Sequence, residues 1–210
     1  MPEGPEVWIL SEAINKYYSY DKTKSVGKHL IIKDTSKDWS FGLTGRVEID
    51  DKDELHKLDF GWLYGTKDDY NDNDNDNKAI DWMQTNKTEL ENVINKWKTS
   101  KKMLGTLLLD QSNIMGIGVA WGSEILFEAN LKPNVKTCEQ AQSLHKLVDA
   151  MLEIRKTIKS DYKKELTKHK TKENIKKFIN GWYNNLYEIR KMNVYKKGKK
   201  IQVAGRSWWI

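Results

Sequence analysis

Met1-Pro2-Glu3-Gly4-Pro5-Glu6-Val7 opens the chain, and it carries both the start of a helix and the first candidate chemistry. Pro5 suits a first helical turn, where its missing N–H costs nothing. Val7, Leu10, Ile14 and Tyr17 or Tyr18 then recur at three- and four-residue steps, which predicts a helix over 6–20. Glu3 and Glu6 fall near the positive helix end, which favours carboxylates. A methionine before proline is commonly trimmed, and Pro2 is then expected as the mature N-terminus. Its secondary amine has an α-amino pKa of about 7.7–8.0, so part of it is unprotonated near neutral pH. Such an amine attacks an aldehyde carbon to form an iminium, and Glu3 beside it is placed to pass protons. The plain alternative is a stiff lead-in to a helix.

Outward from this helix, short strand-like runs follow at 28–33, 39–43, 46–50 and 55–64, the third alternating with period two. The expected class is α+β, an N-terminal helix with an antiparallel β-sandwich, followed by a helical domain that ends in a β-hairpin. The domain boundaries read 1–66, a linker at 67–78, a helical domain at 79–192 and a hairpin at 193–210. The linker holds Asn71-Asp72-Asn73-Asp74-Asn75-Asp76-Asn77, a polar tract without apolar anchors and so expected to be disordered. Its Asp-x-Asp spacing lacks the glycine and closing glutamate of a calcium loop.

Thirty-six Lys and Arg face 30 Asp and Glu in 210 residues, a formal charge of +6 that attracts polyanions, nucleic acid first. Nine tryptophans suggest stacking platforms or aromatic cores. Cys138 is the sole cysteine, which excludes an internal disulfide and a four-cysteine zinc site. No His-x-x-x-His spacing supports a metal site, and no metal or other cofactor is expected. No run of 18 apolar residues occurs, so a soluble, intracellular, monomeric protein without a membrane partner is expected.

The second half turns helical. Leu90, Val93, Ile94 and Trp97 share a face and are followed by Lys98, Lys101 and Lys102; 103–111 reads as a second apolar helix. In Ile114-Met115-Gly116-Ile117-Gly118-Val119, the two glycines make a tight turn into a third helix, where backbone amides can approach a phosphate. Thr137 and Gln140 fit a capping box opening a helix over 137–159. The lysines of 162–177 form either a solvated face or a phosphate-attracting one. Ile175, Phe178, Ile179, Trp182 and Leu186 suggest one more packed helix. Gly205-Arg206 reads as a hairpin tip.

The opening string, Gly27-Lys28-His29-Leu30, Gly42-Leu43-Thr44-Gly45, the run from Leu107 to Pro133, and the closing Val194-Tyr195 with Gly205-Arg206-Ser207-Trp208-Trp209 together resemble the formamidopyrimidine-DNA glycosylase/endonuclease VIII family. The resemblance implies a helix–two-turn–helix element gripping DNA and a base-excision enzyme acting on damaged DNA. Pro2 is its Schiff-base nucleophile and Glu3 its proton shuttle. Lys57, with Lys52 in reserve, and Arg206 are its further catalytic contacts to phosphate, the guanidinium suiting bidentate phosphate bonds. The implied DNA-binding set is Glu6, Lys101, Lys102, Gly116, Gly118 and Arg206. Most members bind zinc at the closing hairpin through four cysteines; this chain has none there and resembles the zincless variant. Val119 stands where the family has a phosphate-holding asparagine. Two other classes stay open: a catalytically impaired binder of damaged or abasic DNA, and a basic adaptor with a fortuitous N-terminus.

Overall fold

The computed structural model describes residues 3–19, 23–32, 39–42, 46–48, 57–59, 67–69, 79–180 and 192–210. The chain divides into two compact units: Met1–Asp76 with Ile158–Lys191, and Asn77–Thr157 with Met192–Ile210. The class is α+β, as expected.

In the first unit, helix α1 (Gly4–Tyr18) places Glu3 at its N-cap and Pro5 in its first turn. Its stripe of Val7, Leu10, Ala13, Ile14 and Tyr17 is buried. Strand β1 (Thr23–Val26) is tied to this helix by polar groups. Asn15 Nδ2 donates to the Thr23 carbonyl at 2.8 Å, and its Oδ1 accepts from the Thr23 N–H at 2.7 Å. The Ser11 and Thr23 hydroxyls lie 3.0 Å apart. With β2 (His29–Ile32), β3 (Trp39–Gly42) and β6 (Lys67–Asp69), β1 forms a four-stranded antiparallel sheet in the order β1-β2-β3-β6. Strands β4 (Arg46–Glu48) and β5 (Lys57–Asp59) make a separate antiparallel pair.

Two boundaries differ from the sequence reading. Lys67–Asp69, assigned to the linker, is a strand that pairs with β3; its charged residues hid it from a reading based on apolar pattern, because strand pairing is a backbone property. The Asn/Asp tract at 71–77 lies outside the described residues. Residues 158–191, assigned to the helical domain, belong to the first unit. The cause is the apolar stripe of α1, which needs a second cover. Tyr162, Ile175, Phe178 and Ile179 join its core from the end of α5 (His145–Lys168) and from α6 (Lys172–Asn180).

This packing also accounts for part of the lysine run. Lys159 Nζ sits 5.2 Å from the Trp8 ring centroid and Lys172 Nζ 5.4 Å from that of Tyr17. Lys164, Lys168 and Lys177 pair with acids three or four residues earlier. Tyr162 is 1% exposed, stacks edge-on against Trp8, and its hydroxyl has no partner among the described residues. Burial first, then the charge of Glu12, pushes its phenol far above the ordinary tyrosine range. Tyr162→Phe removes an unsatisfied polar atom at constant shape, and its thermal midpoint is expected to equal or exceed the parent's, by about 1 kcal/mol of stability at most.

In the second unit, β7 (Ile80–Asp81) pairs in parallel with β8 (Ile114–Met115). Helix α2 (Lys87–Lys96) starts at Asn86, whose Oδ1 accepts from the Glu89 N–H at 2.9 Å. Helices α3 (Leu104–Leu108) and α4 (Val119–Glu128) follow. Arg155, in the first half of α5, donates to the carbonyls of Trp82 and Thr85 at 3.0 and 2.6 Å and holds that turn. The capping box expected at Thr137 does not form: residues Thr137–Ser143 are a 3-10 helix, and α5 begins only at His145. Thr137 Oγ1 donates instead to the Lys102 carbonyl at 2.9 Å, while Gln140 brackets the Lys132 backbone at 3.0 and 3.1 Å. Both side chains found tertiary partners that outcompeted the local cap.

Candidate nucleic-acid interface

The Gly-x-Gly turn is built as expected and braced by a residue whose role the sequence did not announce. Gly116 has φ 88°, a region that only glycine enters without strain. Gln111 spans the turn: its Oε1 accepts from the Gly116 N–H at 2.9 Å, and its Nε2 donates to the carbonyls of Leu109 and Ile117 at 3.1 and 2.9 Å. Asp110 Oδ1 accepts from the Ser112 hydroxyl at 2.6 Å and from its N–H at 3.1 Å. The Ser112 hydroxyl is the main reason the Asp110 carboxyl sits below its ordinary 3.8, with burial opposing and Lys102 adding a smaller pull. Gly118 is then the N-cap of α4, and Val119 is the first residue of that helix, partly exposed. Lys101 and Lys102 are exposed on the segment just before α3.

The closing hairpin is β9 (Lys200–Val203) with β10 (Arg206–Trp209), joined by Ala204 and Gly205 at φ 49° and 75°. Two central residues with positive φ match a type I′ turn, which follows the twist of paired strands. Strand alternation puts Arg206, Val203 and Trp208 on one face. Trp208 is fully buried, and the ring sits where α3 and α4 carry glycine. A Cβ on Gly105 or Gly122 would meet the indole at 2.9 Å. Arg206 is exposed at the tip.

The segment leading into the hairpin is held by one carboxylate. Glu124 on α4 is 4% exposed and accepts from three successive backbone N–H groups: Asn193 at 2.8 Å, Val194 at 2.9 Å and Tyr195 at 2.8 Å. Ser123 Oγ accepts from the Trp209 N–H at 3.2 Å. A charged acceptor meeting a row of amides makes strong bonds. Residues 192–210 contain no Cys, His, Asp or Glu, so the donor set for a zinc ion does not exist there. The indole wedge and the Glu124 carboxylate anchor this segment. Glu124, Ser123, Gly105 and Gly122 were not singled out from sequence; a glutamate inside an apolar helix was the only hint.

In the first unit, Glu3 is 8% and Glu6 6% exposed. The Glu3 N–H donates to Glu6 Oε2 at 3.1 Å, and the Glu3 carbonyl accepts the N–H of Val7 at 3.2 Å. Glu6 therefore works as a brace on Glu3. Pro2 lies outside the described residues. The backbone of Lys57 opens β5 opposite Glu48, and Lys52 is outside the described residues. The structure thus brings together Gly116, Gly118, α4 and the Arg206 hairpin in one unit, and Glu3 with Glu6 in the other. Among the described residues, no group of acids, histidines or cysteine is arranged to hold a metal, and no helix is long and apolar enough to cross a membrane.

No protein-family model matches the chain. A formamidopyrimidine-DNA glycosylase of Crocosphaera subtropica is 35% identical over 74 residues, covering 35% of this chain and 26% of that protein. The match thus spans about a quarter of the curated relative's length. Solved structures agree over nearly the whole chain. An inhibited LlFpg bound to DNA containing N7-benzyl-Fapy-dG superposes with TM-score 0.68 at 18% identity, covering 99% of this chain and 97% of that one. The Lactococcus lactis Fpg in complex with abasic-site DNA gives TM-score 0.66 at 17% identity and the same coverage. The chain has the fold of these glycosylases.

Proposed function

We propose that this chain, sharing the fold of the formamidopyrimidine-DNA glycosylases, is a base-excision enzyme that removes oxidised bases from DNA and nicks the strand through a Schiff base. The observation that carries the reading is Glu3: a buried carboxylate at the N-cap of α1, braced by Glu6 and adjacent to Pro2.

With Met1 removed, the Pro2 nitrogen attacks C1′ of the lesion's sugar. The bond to the base breaks, and the base leaves with a proton. The sugar ring opens to an iminium joining Pro2 to C1′, with Glu3 passing protons to and from the ring oxygen. The iminium acidifies C2′; loss of that proton expels the 3′ phosphate by β-elimination. The reaction stops there or continues by a δ-elimination that releases the 5′ phosphate, and water then hydrolyses the iminium to free the enzyme. Arg206 and Lys57 contact phosphates beside the lesion. Lys101, Lys102 and the Gly116–Gly118 turn hold the backbone further out. The base is extruded from the stack for this chemistry. Damaged DNA is the partner, the chain acts as a monomer, and the steps use its N-terminal nitrogen, its side chains and water, without a cofactor.

Borohydride reduces an iminium to a stable amine, so incubation with abasic DNA and borohydride is expected to yield a covalent protein–DNA adduct. Absence of both adduct and nicking, with binding retained, leaves the second reading: a binder of damaged or abasic DNA without lyase chemistry. Val119, in place of the phosphate-holding asparagine, is the observation that favours that reading.

A further inference from the structure

The hairpin has a second face that the proposed lesion chemistry does not use. Strand alternation sets Trp209 and its cross-strand neighbour Lys200 on the side opposite Trp208 and Arg206. Trp209 is half-buried, and Lys200 is exposed. The Tyr195 ring meets Trp209 edge-on at 4.7 Å between centroids, and Lys196 Nζ lies 5.5 Å from the Tyr195 ring. Beside them, Gln202 Nε2 donates to Ser207 Oγ at 2.8 Å, which leaves this stretch of the face polar. Residues 192–210 carry Lys196, Lys197, Lys199, Lys200 and Arg206 and no acidic side chain. The carboxylate that touches the segment, Glu124, is taken up by three backbone N–H groups.

We infer that this outer face binds an unpaired stretch of a DNA strand, with one nucleobase stacked on Trp209 and the flanking phosphates met by Lys200 and Lys196. An indole against a π-face with cations alongside is the recurrent chemistry of single-strand binding. Bases inside a duplex have both faces covered by their neighbours, so only an unpaired base can present one to Trp209. The lysines supply the charge complement to the backbone. The face therefore favours DNA that carries a gap, a frayed end or a single-stranded flank. This binding goes beyond the proposed repair chemistry and does not depend on it, because it requires no lesion.

The test uses the full chain and undamaged DNA. Fluorescence anisotropy compares a labelled oligodeoxythymidylate with a duplex of equal length. Trp209→Ala is expected to weaken single-strand binding about tenfold and to change duplex binding by less than about twofold, with Trp209→Phe retaining most of the affinity. Lys200→Ala with Lys196→Ala, both exposed and outside the packed core, is expected to weaken single-strand binding and to flatten its salt dependence, each lost phosphate contact reducing the slope by about 0.7. Unchanged single-strand affinity in Trp209→Ala overturns the inference, as does an equal loss on both DNAs. If Trp209→Ala fails to fold, the lysine pair decides by the same two comparisons. Inorganic polyphosphate competing as well as the oligonucleotide also overturns it, by reducing the face to a plain anion-attracting surface.

Discussion

One residue left in front of Pro2, whether retained Met1 or an added tag, is expected to remove the borohydride-trapped adduct and to slow nicking of abasic DNA by on the order of a thousandfold or more. The reason is electronic. Acylating the Pro2 nitrogen converts a secondary amine with a free lone pair into a tertiary amide that cannot add to C1′. Nothing about α1 needs to change, since its cap and first turn are made by Glu3, Glu6 and Val7. DNA affinity is therefore expected to stay within a few-fold of the parent. Gel-resolved trapping against the same protein processed to expose Pro2 reads the effect directly. Equal trapping by the blocked form refutes the proposed nucleophile. Below about pH 7.7 the rate should also fall as the amine becomes protonated.

Trp208→Ala is expected to destabilise the second unit by about 3–5 kcal/mol, the usual range for a large aromatic truncated in a core. Trp208 is fully exposed to packing on all sides and to water on none. Its ring occupies the room left by Gly105 and Gly122. The lower half of the range is the better expectation, because the indole N–H has no partner among the described residues and its removal returns part of the loss. The reciprocal change, Gly122→Ala, sets a Cβ 2.9 Å from the indole and is expected to cost about 1–3 kcal/mol. In Trp208→Ala the same methyl enters empty space, so the pair should couple strongly in a double-mutant cycle. Thermal midpoints of the four proteins give the coupling; strict additivity contradicts the wedge. Loss of this wedge also frees the strand that carries Arg206, so nicking should fall with stability.

The closing hairpin is small and is held to its helices by few groups. A zinc ion supplies cohesion to a small hairpin that has too little apolar surface of its own. Here the cohesion comes from one buried indole and from a carboxylate shared by three amides. The indole, carried by β10, wedges against Gly105 of α3 and Gly122 of α4, and the carboxylate is on α4; these helices flank the Gly116–Gly118 turn. The position of Arg206 is therefore tied to the element that is proposed to grip the DNA backbone.

Local pattern alone determined a good deal of this molecule. Pro5 and the stripe from Val7 to Tyr17 announced α1, short strand-like runs announced β2, β3 and β5, alternation announced β4, two glycines announced the start of α4, and Gly205 announced the hairpin turn. Each of these depends on residues close in sequence, through periodicity, φ preference or capping. Tertiary structure alone decided which unit received 158–191, because the cover for α1 lies some 150 positions away along the chain, as the bond from Lys16 to the Leu166 carbonyl shows. It likewise turned Thr137 from a cap into a donor to Lys102, and Glu124 from an odd acid in an apolar helix into the anchor of residues 193–195. A buried polar group takes whichever partner the fold brings within 3 Å, and no spacing in the sequence records that distance.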